Sequence, residues 1–244
     1  MDSNGITSVL NFRDVGSTVN SFQGRRKRLR EELGIKAARK RKTDLQIPAL
    51  LQSNAALAEP VQIPGLKYHD IRITGGRFEW FLVRQLSWWG YRNEGISVLA
   101  SEVMVPRGLV RLGLDTLDQS GEEIAKALRV FLNPLTTPTL VHCTQGKDRT
   151  GMIITLVLLA LDVPLEAIEH DYMLTSGALE SEREVRLAEI REIGLTDDWF
   201  EPAPDMIVRT ARHLDEVYGG IVGYLDKIRF DQNDRQKLKE LLLY

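Results

Sequence analysis

The chain has 244 residues, 43% of them hydrophobic and 27% charged, with a formal net charge of −2; that balance fits a soluble globular protein and points to no polyanionic partner such as a nucleic acid. A lone cysteine excludes an internal disulfide, and the longest apolar run, Met152–Leu161, is too short to span a bilayer. With no basic-then-apolar leader at Met1–Gly5, the expectation is one cytoplasmic domain over residues 1–244, without a transmembrane segment.

In chain order, Asn11-Phe12-Arg13-Asp14-Val15-Gly16 reads as a short strand or turn. Arg13 and Asp14 either pair on a structural corner or brace the loop described below. Two basic blocks follow, Arg25–Arg30 and Arg39–Lys42. Leu29 and Leu33 with Glu31-Glu32 suggest a charged amphipathic helix stopped at Gly34. Such blocks are solvated helix faces or, in a second reading, patches for nuclear import or acidic lipids. Residues 43–65, with Pro48, Pro60 and Pro64, are loop-like.

Lys67–Ile73 alternates and carries β-branched residues, the pattern of a strand with His69 and Asp70 on its polar face. Residues 77–91 hold Trp80, Phe81, Trp88 and Trp89: a lid over a site, a membrane-touching helix, or ordinary packing. Val103–Leu117 is predicted helical, with Pro106 in its first turn. Ser120-Gly121-Glu122-Glu123 has the form of a capping box opening a helix through Leu132. Pro138–Val141 reads as a buried strand, and Met152–Leu161 as a helix apolar on nearly every side. Further helices are predicted over Pro164–Leu174, Leu179–Ile193 closed by Gly194, Pro204–Tyr218 closed by Gly219, and Asp231–Leu243. The fold class expected is α/β, a mainly parallel sheet flanked by helices with a largely helical C-terminal half. No repeat, low-complexity tract or zinc-ligand spacing stands out, and no metal or cofactor is expected.

The chemistry concentrates at His142-Cys143-Thr144-Gln145-Gly146-Lys147-Asp148-Arg149-Thr150-Gly151, between the predicted strand and the apolar helix. A loop entering a helix N-terminus presents unpaired backbone N–H groups and a positive dipole end, which together suit a bound anion. Thr144, Gln145, Gly146 and Lys147 would form the cradle, and Gly146 allows a backbone conformation that other residues resist. Arg149 supplies a planar fork for two phosphate oxygens. Cys143 would lie on the floor, where the same field favours thiolate over thiol. Thr150 is placed to donate a hydrogen bond to the sulfur. A nucleotide P-loop is excluded, because that motif needs glycine at Val141 and a hydroxyl at Asp148.

The pattern H-C-x-x-G-x-x-R-T-G resembles the phosphate loop of cysteine-dependent phosphatases. Gly146–Gly151, with Asn11–Gly16, Glu169–Thr175 and Tyr218–Ile221, is similar to an atypical tyrosine/serine protein phosphatase family, some of whose members accept phosphoinositides. The resemblance implies a tyrosine-phosphatase-like fold and hydrolysis of a phosphorylated protein or phosphoinositide through a phosphocysteine on Cys143. Arg149 and backbone N–H groups would bind the equatorial oxygens, Lys147 would add charge at the rim, and His142 would orient the loop through backbone hydrogen bonds. Asp148 is the first choice for general acid, with Asp115 or Asp118 second; no Trp-Pro-Asp motif accompanies the latter two. An inactive phosphate-binding scaffold and a rhodanese-like sulfur transferase stay open as alternatives. The chain also departs from the family pattern. Strand segments expected near residues 24–25 and 36–37 are missing, and a shortening is suspected at Trp88–Tyr91.

Overall fold

Among the described residues, three short parallel strands carry the loop. In a computed structural model that describes residues 8–12, 66–74, 77, 78, 81, 100–192 and 194–243, β1 (Ser8–Phe12) lies between β2 (Lys67–Ile71) and β3 (Thr139–His142). Leu10 faces His69 on one side and Val141 on the other, and Asn11 faces His142. Burial on both flanks explains why β1 reads Ser-Val-Leu: Ser8, Val9 and Leu10 are all buried. The Ser8 hydroxyl is satisfied by donating to the Thr136 carbonyl at 2.6 Å. The strand expected over 67–73 forms over Lys67–Ile71, two residues shorter, and the α/β, mainly parallel character holds.

A parallel pair needs a long crossover, and α1 (Val105–Gln119) and α2 (Gly121–Val130) supply it before β3. A π-helical turn, Ala100–Met104, leads into α1, Pro106 sits in its first turn, and Gly108 breaks it at φ 68°. The capping box at Ser120 does not form. Its N–H bonds to the Thr116 carbonyl while its own carbonyl accepts from Ile124, so one residue ends α1 and starts α2 without a side-chain cap. The Ser120 hydroxyl has no partner among the described residues. Gly121 is required for packing, since a Cβ there would stand 2.7 Å from Ile228.

The strand at 138–141 is a correction of a different kind. β3 pairs with β1 on one side, and Leu140 is 45% exposed rather than buried. A strand with a single described neighbour still alternates its side chains, so one apolar residue is left facing out.

Next comes α3 (Asp148–Ala160), the centre of the core. Ile153 and Leu156 are fully buried against Leu10, Ile124, Leu128, Leu214 and Leu225, and no residue of α3 is exposed. The remaining helices among the described residues are α4 (Leu165–Ala178), α5 (Arg183–Glu192), α6 (Met206–Tyr218), α7 (Ile221–Lys227) and α8 (Gln232–Leu242). Gly194 and Gly219 adopt φ of 87° and 74° at helix ends, and Asp231 caps α8 by accepting from the Asp234 N–H at 3.0 Å. The sequence pattern did not show α7 or the 3-10 turn Asp197–Trp199. That turn belongs to a second cluster, in which Ile190, Leu195, Trp199 and Phe200 pack on Leu109 and Leu112 of α1.

Arg13–Gly16, the basic blocks, the loop-like stretch up to residue 65 and both missing strand segments lie outside the described residues. So does most of 77–91, where Phe78 is buried beside Val103 and the Arg107 guanidinium lies 5.2 Å from the Phe81 ring. No helix among the described residues is long and apolar enough to cross a membrane.

Candidate active site

Cys143 follows the last residue of β3, and five residues later α3 begins at Asp148. The cysteine is buried, at 7% exposure, while Thr144 and Gly146 are exposed. Gly146 has φ 72°, and a Cβ added there would meet no atom within 4 Å, so backbone conformation rather than space demands glycine. The first turn of α3 closes with the Gly151 N–H on the Lys147 carbonyl. The N–H groups that precede that bond have no partner within the helix. Arg149, in the same turn, donates from Nη2 to Thr144 Oγ1 at 2.9 Å, which spans the loop mouth.

Lys147 is not at the rim. Its side chain is fully buried, and Nζ donates to the Trp199 carbonyl at 2.9 Å, the Glu201 carbonyl at 3.4 Å and Asp148 Oδ1 at 3.1 Å. An ammonium taken out of water must satisfy all its donors, and here backbone carbonyls and a carboxylate do so. Asp148 itself keeps 32% of its side chain exposed. The hydrogen bond expected from Thr150 to the sulfur is not made; the Thr150 hydroxyl is buried without a partner among the described residues. Thr150 instead lines a pocket of about 80 Å³ between α3 and α4, with Asp171 and Tyr172. The expected backbone hydrogen bond of the His142 ring is likewise not seen among the described residues, where His142 stands opposite Asn11 in the sheet.

Tyr172 closes the back of the loop. Its ring packs so tightly on Gly151 that a Cβ there would lie 2.8 Å from the ring carbons. Burial first, and then the charge of Asp148, push its phenol pKa well up, so it stays a neutral hydroxyl at any ordinary pH.

The two alternative acids point elsewhere. Asp115 is buried and pairs with Arg107 at 3.4 Å and Arg111 at 3.2 Å, both on α1. Burial raises its pKa, against the lowering effect of those arginines. Asp118 accepts from the Tyr218 hydroxyl and meets His213 Nε2, each at 2.7 Å, on α6. On β2, burial and then Lys67 lower the His69 pKa, as suits a half-buried strand position. A larger cavity, about 170 Å³, lies at the far end of α3 between Leu159, Ile221 and Arg235. It contains no nucleophile.

The family model described as "Tyrosine phosphatase family" matches residues 51–244. The chain belongs to the tyrosine phosphatase family. It is similar to a protein named triple specificity protein phosphatase PtpB from Mycobacterium tuberculosis, with 26% identity over 43% of this chain and 44% of that one. A tyrosine-protein phosphatase of Nostoc commune is 35% identical over 41% of this chain and 37% of its own. The inositol diphosphatase SIW14 of Saccharomyces cerevisiae is 39% identical over 20% of this chain and 17% of its own. The chain thus spans less than half the length of each of these curated relatives.

Trp199, Glu201, Ser176 and Arg183 were not singled out by sequence reasoning, yet they surround Lys147 and its anchors. The available signal was Trp199-Phe200-Glu201-Pro202, two large aromatics in a short connector between helices.

Proposed function

We propose that this tyrosine phosphatase family chain is a cysteine-dependent phosphomonoester hydrolase. The observation that carries the reading is the seating of Cys143 between β3 and the N-terminus of α3, with Arg149 in the first helical turn bonded across to Thr144. The Cys143 sulfur attacks phosphorus, the P–O bond breaks, and the leaving oxygen takes a proton from Asp148. Water then attacks the phosphocysteine, the P–S bond breaks, and Asp148 takes back a proton. Arg149 and the N–H groups of Thr144–Asp148 carry the charge on the equatorial oxygens. Asp148 is favoured over Asp115 and Asp118 because it is in the loop and partly exposed, whereas those two are engaged on α1 and α6.

The relatives' names, a triple specificity protein phosphatase and an inositol diphosphatase, support phosphorylated proteins and phosphorylated inositols as substrates. A nucleophilic thiol suits a reducing compartment, and we infer the cytoplasm.

The test is Cys143→Ser. Turnover of an aryl phosphate is expected to vanish, while phosphate and vanadate still bind through the backbone and Arg149. Substantial activity in the serine variant would refute the phosphocysteine route, and sulfur transfer from thiosulfate by the wild type would point to the rhodanese alternative.

A further inference from the structure

Lys147 carries three N–H donors, and three acceptors sit within reach: the Trp199 carbonyl, the Glu201 carbonyl and the Asp148 carboxylate. With the side chain fully buried, no donor is left over for a substrate oxygen. A substrate could recruit this ammonium only by stripping a carbonyl of its partner, and a polar group left unpaired away from water is costly.

The two carbonyls are themselves held. The Glu201 carboxylate accepts from Ser176 Oγ of α4 at 2.7 Å and from Arg183 Nη1 of α5 at 2.6 Å. The Arg183 guanidinium lies 4.9 Å from the centre of the Phe200 ring. Trp199 and Phe200 are buried in the cluster formed with α1 and α5. Arg191 fixes the start of the segment through Asp197 at 2.7 Å. Residues 197–201 are therefore a braced strap, and the Lys147 ammonium bonds it to the loop.

We propose that Lys147 is a positioning residue: anchored on the strap, it aims the Asp148 carboxylate at the departing oxygen and does not bind the substrate phosphate. The inference rests on the hydrolase reading above, with Asp148 as acid. Its consequence is that Glu201, Ser176 and Arg183 govern proton transfer from a distance. Loosening the strap frees Asp148 to leave its aim, while the backbone cradle and Arg149 still hold phosphate.

The test uses a series of aryl phosphates whose leaving groups range from acidic to basic phenols. Lys147→Met should leave KM and the vanadate Kd within about twofold. It should lower kcat for basic leaving groups by a sizeable part of the roughly 10²–10⁴-fold that a general acid contributes, and far less for acidic ones. In an Asp148→Asn background, Lys147→Met should cost nothing further, because the route through Asp148 is already gone. Arg183→Lys, which keeps the charge at a partly exposed position, should show the same leaving-group dependence at about two- to fivefold. A tenfold weaker vanadate Kd in Lys147→Met would overturn the proposal in favour of direct phosphate binding, and needs no turnover to be seen. Equal losses across the series, or additive losses in the double variant, would overturn it as well. Failure of the hydrolase reading shows separately, as wild-type inactivity or as activity that survives Cys143→Ser.

Discussion

Residues 142–151 make the loop from one unbroken stretch, whereas residues 199–201 reach it only because α4 and α5 intervene and fold back. The backbone of the loop, from Cys143 to Asp148, runs directly out of its own strand and into its own helix. The strap is placed by partners far away in sequence: Lys147 to Trp199 spans 52 positions and Ser176 to Glu201 spans 25. The loop's chemistry is local and contiguous, so damage to it should remove function without unfolding. The strap's contribution is tertiary, so damage to it should detune the site and weaken the packing around it.

The largest effect that tests this contrast is at Arg149. Arg149→Lys keeps the charge and removes the planar fork that pairs two oxygens. A kcat loss of about 10²–10³-fold is expected, the scale of losing one transition-state donor. The melting temperature should hardly move, because the contact to Thr144 is at the surface of the loop. A loss of less than about tenfold would show that the backbone N–H groups suffice and would shift the weight of binding away from this residue.

Gly151→Ala sets local propensity against tertiary contact. By helix propensity alone alanine should stabilise α3 by about 0.8–1.0 kcal/mol. The new methyl, however, would lie 2.8 Å from the Tyr172 ring, which is buried and has little room to retreat. Overpacking of that kind costs about 1–3 kcal/mol, and a net fall in melting temperature is expected. Tyr172→Leu in the same background should recover part of it. Stabilisation by the alanine variant would mean that the α3–α4 contact yields easily, and that the loop's rear wall is softer than its burial suggests.

The same division explains what the sequence disclosed. The contiguous motif placed Cys143, Gly146, Asp148 and Arg149 at a strand-to-helix turn, because period and punctuation are local signals. Helix ends at Gly194 and Gly219 were legible for the same reason, each being a left-handed residue that only glycine adopts freely. Lys147 was misjudged because nothing adjacent to it reveals that two carbonyls some fifty residues on will take its donors. Leu140 was misjudged because an apolar residue in a strand carries no mark of whether a neighbour covers it. Ser120 had a capping-box pattern, but the box presumes a free helix start, and α1 runs into α2 at that residue. The motif is a local signal; the partners that a side chain finds are set by packing.

The smallest expected effect concerns acid and the strap. The hydrogen bond from Ser176 and then that from Arg183 hold the Glu201 carboxyl below the ordinary glutamate range. A carboxylate with a lowered folded-state pKa binds its proton later in the folded chain than in the unfolded one. Its stabilising contribution is therefore complete above the unfolded pKa, and it shrinks as the pH falls through the folded pKa. Comparing melting temperatures of wild type and Glu201→Gln, the difference should be constant near neutrality. It should diminish once the pH drops below the ordinary glutamate value, and vanish once Glu201 is protonated in the folded chain as well. Because Arg183 is partly exposed, the difference at neutral pH should be modest and should fall further in high salt. Loss of the difference should coincide with the appearance of leaving-group dependence in wild-type turnover, since protonating Glu201 releases the strap that steadies Lys147. A melting difference that stays constant down to acid pH would mean that Glu201 stabilises the segment through packing alone, and that its charge has no part in holding the strap.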